Sequence, residues 1–137
     1  MKKFLSLIVC VLCLFMTACN DKEVEKGLWE NAIYTEDTEF GTGAKTVIVE
    51  VEADDKAVTF TINTDKETLG DALMEHSIIS GEKGPYGLYV KSVNGMMADY
   101  EINKSYWSLS NDGGYMPTGV DATKISDGEH YELVYTK

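Results

Sequence analysis

Arginine is absent from this 137-residue chain: all twelve of its basic residues are lysines, set against 23 aspartates and glutamates. No guanidinium fork is available to grip a phosphate, and the acidic balance repels a polyanion, so nucleic acid is excluded as a partner. Cysteine is missing after residue 19, the three present being Cys10, Cys13 and Cys19. The body of the chain therefore holds no disulfide, no catalytic thiol and no thiolate metal site, and its core must hold the fold unaided. There are two histidines, His76 and His130, and neither stands at a ligand spacing such as His-Glu-x-x-His. No Gly-x-Ser-x-Gly elbow occurs, so an activated serine hydrolase is not indicated. A hydrophobic run of about 20 residues, the length that spans a bilayer, is also lacking.

What the N-terminus has instead is Lys2-Lys3, a thirteen-residue apolar run from Phe4 to Met16, and then Thr17-Ala18-Cys19. A positive start, a short apolar stretch and small residues before a cut site predict a signal peptide over 1–18. Met16-Thr17-Ala18-Cys19 resembles the bacterial lipobox, which implies cleavage before Cys19, a lipid on its sulfur and a location on the outer face of the cell membrane. The alternative is an ordinary secretory signal cut near Ala18, which would leave a free thiol. Beyond the cut, ten lysines face 23 acidic residues, a net charge of −13. Such a domain is kept off an anionic lipid surface, so any membrane association has to run through Cys19. Residues 19–27 read as a polar spacer and 28–137 as one domain, its core expected over 46–137.

Alternation marks the strands. Val47, Val49 and Val51 share one face against Glu50 and Glu52, and Val58, Phe60 and Ile62 share another against Thr59 and Thr61. The short polar Asp54-Asp55-Lys56 between them predicts an antiparallel hairpin. Thr68-Leu69-Gly70-Asp71 reads as a capped helix start, with Leu69, Ala72, Leu73 and His76 at helical spacing, and Ser80-Gly81 is taken to end a helix of ten to twelve residues. Further strands follow at 88–93, 106–109 and 131–135, divided by Asn94-Gly95 and Asn111-Asp112-Gly113-Gly114 turns. Ala32-Ile33-Tyr34 is a further candidate strand. The order implies an α+β fold, a β-grasp-like, antiparallel-rich mixed sheet with one helix across it.

Little in this pattern carries reaction chemistry. Gly41-Thr42-Gly43-Ala44-Lys45-Thr46 precedes a strand, whereas a phosphate loop must follow a strand and open a helix. Asp54-Asp55 and Asn111-Asp112 are turn residues without the alternating acidic loop that calcium needs. His76 falls on the apolar stripe of the helix, where a satisfied, partly buried imidazole is expected. His130 opens a strand and is expected to be exposed. Spacing singles out no carboxylate pair. Seven of the eight tyrosines lie after residue 85, however, with Trp107, Met96, Met97 and Met116 among them. Residues of this kind make adaptable, amphipathic surfaces, so binding is favoured over catalysis and no cofactor is called for.

Gly87-Leu88-Tyr89-Val90-Lys91-Ser92-Val93-Asn94-Gly95, Tyr106-Trp107-Ser108-Leu109, Tyr115-Met116-Pro117-Thr118-Gly119-Val120 and Asp127-Gly128-Glu129 together resemble the transcobalamin-like C-terminal domain. The resemblance covers about 46–137, including the helix start at Thr68. It implies a β-grasp-like fold of the soluble-ligand-binding kind and places apolar ligand contacts at Val90, Leu109 and Met116. Tyr106, Trp107 and Tyr115 are candidates beside them. The vitamin carriers of that family close this domain over cobalamin together with a helical barrel that this chain lacks. The expected partner is thus a small molecule, a corrinoid by resemblance, with an uptake component of the envelope as a further partner. A cell-surface module binding protein or glycan is the alternative.

Overall fold

A computed structural model describes residues 27–137. The expected signal peptide over 1–18, Cys19 and most of the expected spacer lie outside the described residues. Among the described residues, nine strands form two sheets, joined by two short α-helices. The strands are β1 (Thr38–Phe40), β2 (Lys45–Ala53), β3 (Lys56–Thr64), β4 (Ile79–Gly84), β5 (Gly87–Val93), β6 (Met96–Met97), β7 (Tyr106–Asn111), β8 (Gly114–Tyr115) and β9 (His130–Thr136). The helices are α1 (Leu69–Glu75) and α2 (Tyr100–Asn103). The larger sheet runs β1-β3-β2-β9-β7-β8, and β4-β5-β6 form a separate three-stranded sheet. Most pairs are antiparallel, while β1 with β3 and β2 with β9 are parallel. The α+β class is as expected. The single sheet is not: strands 88–93 and 106–109 lie in different sheets, because Asn94-Gly95 closes a local hairpin and leads β5 back into β6 instead of into β7.

The core follows from the alternation. Val47, Val49 and Val51 of β2 meet Phe60, Val58, Tyr131 and Leu133 along one face of the large sheet, and all are essentially fully buried. Each such side chain contributes about 1.5–3 kcal/mol of apolar burial. Leu69, Ala72 and Leu73 of α1 complete that cluster, along with Ile79, Val93 and Met96 of the small sheet. At the β2–β3 turn, Asp54 and Asp55 both adopt positive φ, 48° and 63°. This is the primed two-residue geometry that matches strand twist.

Helix α1 spans seven residues, shorter than the ten to twelve expected. Thr68 caps its start as anticipated, its hydroxyl accepting from the Asp71 N–H at 3.2 Å. Its end comes early because Ser77 turns left-handed at φ 56°, with Ser77 N–H donating to Met74 C=O and Ile78 N–H to Leu73 C=O. That bond pair is a Schellman stop, fixed by the buried Leu73–Ile78 contact rather than by a glycine. His76 consequently caps the helix. Its ring stacks on Phe40 at 5.1 Å, and its Nε2 is buried without a hydrogen-bond partner, the nearest carboxylate being Glu75 at 3.9 Å. The expectation of a satisfied imidazole is corrected.

The N-terminal stretch is part of the packing. Ala32-Ile33-Tyr34 is not a strand, since Ile33 and Tyr34 bond to Asn94 instead of to a ladder. The strand falls at Thr38–Phe40, and Tyr34, Phe40 and Phe60 meet edge to face at 5.1–5.7 Å. The Trp29 indole N–H donates to Ala53 C=O at 2.7 Å. Asn94 is the clamp: fully buried, its side chain accepts from Tyr34 N–H at 2.9 Å and donates to Tyr34 C=O at 2.8 Å.

Candidate functional site

The outer edge of β7 and the flank of β5 face each other across a gap between the two sheets. A cleft of about 210 Å³ lies there, floored by Leu133 and closed at one end by the loop 116–120. Val90, Tyr106, Trp107, Leu109, Tyr115 and Met116, the six sequence candidates, all line it. They do not play one role. Trp107 and Leu109 point into the core, 8% and 7% exposed, and pair with Tyr135 and Leu133 of β9. The Trp107 ring meets Tyr135 edge-on at 5.6 Å and its indole N–H donates to Met96 C=O at 3.3 Å, so it is a fixed wall. Tyr106 is 38% exposed and Tyr115 76%, which makes them the accessible rim. Val90 and Met116 are half-buried between the two.

The same cleft is lined by Leu88, Tyr89 and Pro117 through Val120, which belong to the resembling segments but were not among the six candidate ligand contacts. The signal for the loop was present in Pro117-Thr118-Gly119, because a proline cannot continue the β7–β8 ladder and a following glycine lets the chain turn. The loop is tied down by Asp121, whose Oδ2 accepts from Leu88 N–H at 3.0 Å, and by Thr123, whose hydroxyl donates to Gly119 C=O at 2.8 Å. Gly87 beside it has φ 100°, and a Cβ there would stand 2.5 Å from the Asp121 carboxylate, so only glycine fits.

A wider recess of about 590 Å³ adjoins the first, and Tyr89 and Tyr106 belong to both. Glu82, Asp99, Tyr100 and Glu101 line it, with Lys91 held by Glu82 at 3.4 Å. The pair of recesses thus joins an apolar end to an acidic, tyrosine-walled one.

His130 lies on the opposite face of the large sheet, away from this cleft. It is not freely exposed as expected: Glu50 approaches its Nε2 at 3.7 Å, and Asp112 and Glu132 approach its Nδ1 at 3.7 and 3.8 Å. Alternation puts Glu50, Glu132 and His130 on the face opposite to Val49, Tyr131 and Leu133, and the parallel β2–β9 register makes Glu50 and Glu132 neighbours, a proximity invisible in sequence spacing. Among the described residues, no group of three or more His, Cys, Asp or Glu is placed to hold a metal ion.

Residues 66–137 match a family described as a domain of unknown function, DUF4430. A solved structure from Ruminococcus gnavus ATCC 29149, provisionally described as that of a metal binding protein, is similar with a TM-score of 0.66 and 30% identity. That likeness covers 69% of this chain and 98% of the other. Haptocorrin in complex with Cbi is similar in fold with a TM-score of 0.59 at 17% identity, over 72% of this chain and 26% of haptocorrin. The chain therefore corresponds to about a quarter of that protein. No curated protein matches.

Proposed function

The chain belongs to the DUF4430 family, and we propose that this member is a lipid-anchored, extracytoplasmic binding protein that takes a soluble ligand without acting on it chemically. The observation that carries the reading is the convergence of Val90, Tyr106, Trp107, Leu109, Tyr115 and Met116 on one cleft between the sheets. Concave, mostly apolar sites with a few fixed polar groups are what small ligands select. Haptocorrin, similar in fold, is solved with Cbi bound. That supports a corrinoid as the ligand here and a β-grasp-like description of the fold, and a ligand of this kind on the outer membrane face would feed an uptake component of the envelope. The metal description of the Ruminococcus gnavus protein stays with that protein, because the described residues assemble no ligand set.

A second reading, a surface module for protein or glycan, draws on Tyr86 and Tyr115, which are 98% and 76% exposed. Calorimetric titration with a panel of corrinoids and metal-free tetrapyrroles separates the two. Heat of binding to a corrinoid at micromolar to sub-millimolar affinity supports the first. Silence across the panel, with retention on a wall glycan or an envelope protein, supports the second.

A further inference from the structure

The wider recess of about 590 Å³ is walled by Tyr89, Tyr100 and Tyr106 and rimmed by Glu82, Asp99 and Glu101, with Lys91 the one cation of its lining. Its walls come from separate elements. Tyr89 of β5 stands opposite Glu82 of β4 in the antiparallel register, Tyr100 and Glu101 open α2, and Tyr106 opens β7. The turn between Tyr100 and Tyr106 is braced. Asp99 caps α2 by accepting from Glu101 and Ile102 N–H, its own N–H donates to the hydroxyl of the fully buried Ser105 at 3.0 Å, and that hydroxyl donates to Asn103. Both tyrosines are thus set in place before any ligand arrives. Among the described residues, no two of the three rings pack on each other. The space between them stays open.

The charge of the recess is unbalanced. Glu82 holds Lys91 at 3.4 Å, whereas among the described residues no lysine or histidine comes within ion-pair distance of the Asp99 or Glu101 carboxylate. Tyr100 already attracts a cation: Lys104 Nζ stands 4.8 Å from its ring centroid, and Lys104 takes no part in the recess lining. A primary ammonium is strongly hydrated and needs fixed acceptors, which this recess offers only at its rim. A quaternary ammonium ion has no N–H to satisfy and is held by ring faces and uncompensated carboxylates alone. We propose that the recess is a second binding site, for a free quaternary ammonium ion of choline size. The proposal goes beyond the corrinoid reading and does not depend on it. Phosphocholine, free or as a lipid headgroup, carries the same cationic group, but its phosphate would be brought against Asp99 and Glu101, which favours the free cation.

The test titrates the full chain, in non-ionic detergent, with choline and with 3,3-dimethylbutan-1-ol, which has the same shape and no charge. Binding is followed by calorimetry and by tyrosine ring shifts in NMR spectra. Choline is expected to bind with a dissociation constant of about 1 mM or tighter and about tenfold more tightly than the neutral isostere, since each ring face adds a factor of about two to five. Tyr100→Leu and Glu101→Gln, both at exposed positions, are each expected to weaken choline binding about two- to fivefold with an unchanged urea midpoint. Phosphocholine and phosphatidylcholine vesicles are expected to bind more weakly than choline. Absence of choline binding up to about 10 mM, equal affinity for the isostere, or indifference to both substitutions would overturn the site. Phosphocholine or vesicles bound as tightly as choline would overturn its assignment to a free cation.

Discussion

Replacing Asn94 by alanine removes three things at once. The side chain is fully buried and bridges both peptide groups of Tyr34, at 2.9 and 2.8 Å, across sixty residues of sequence. Loss of the bridge strands a half-buried N–H and a half-buried C=O, each at about 1–2 kcal/mol. Alanine must also hold the left-handed φ of 52° that asparagine tolerates, at about 1 kcal/mol. The sum is about 3–5 kcal/mol, a large part of a stability of about 5–15 kcal/mol. Asn94→Gly relieves the backbone but not the bridge, and should lose about 1 kcal/mol less. Asn94→Asp keeps the acceptor for Tyr34 N–H and sets a carboxylate against Tyr34 C=O, so it should resemble alanine. Urea denaturation followed by circular dichroism measures all three, and at about 1–3 kcal/mol per molar the alanine variant should lose upwards of 1 M in midpoint. A loss for Asn94→Ala below about 1 kcal/mol, or a glycine variant worse than alanine, would refute the clamp.

At the helix stop, Ser77→Gly should stabilise by about 1 kcal/mol, since Ser77 occupies the left-handed Schellman position at φ 56°; a destabilised variant in the same denaturation assay would contradict this. Gly87→Ala forces a Cβ against the Asp121 carboxylate at φ 100° and should cost about 1–3 kcal/mol while lowering ligand affinity, because the loop 116–120 hangs on Asp121; unchanged affinity and midpoint would argue against that tether. On the proposed lipid anchor, Cys19→Ser removes the sulfur that would take the lipid and should be released or unprocessed; unchanged detergent-phase partitioning and acyl labelling would sink the lipoprotein reading.

The local elements were legible because they follow from period and turn chemistry. Val47-Val49-Val51 against Val58-Phe60-Ile62, the Thr68 cap and the Asn94-Gly95 turn each depend on a few adjacent residues. What sequence left hidden is non-local. β1 joins the sheet by parallel pairing with β3, a contact between residues some twenty apart that no alternation in Thr38–Phe40 announces. The left-handed Ser77 carries no glycine signal, so the periodicity predicts a longer helix than Leu69–Glu75. In the cleft, the six candidate residues assemble as a set, yet their depth differs. Leu109 is core, opposite Leu133, so a polar change there would damage folding before it reported on binding. Tyr106 and Met116 are the positions at which truncation reads out the site. The resemblance named the residues; only the register of β7 with β9 shows which of them point into the core.

The chain has two tryptophans, and they report on different places: Trp107 lines the cleft, while Trp29 lines a separate recess beside Lys56 and Val58. Titration of a Trp29→Phe variant with a corrinoid, following tryptophan emission, therefore tests the binding site most directly. Saturable quenching with a dissociation constant below about 1 mM, about 4 kcal/mol of binding free energy, is predicted, weakened several-fold by Tyr106→Ala or Met116→Ala. Emission from Trp107 that stays unchanged up to millimolar corrinoid, or quenching indifferent to both substitutions, would contradict the account.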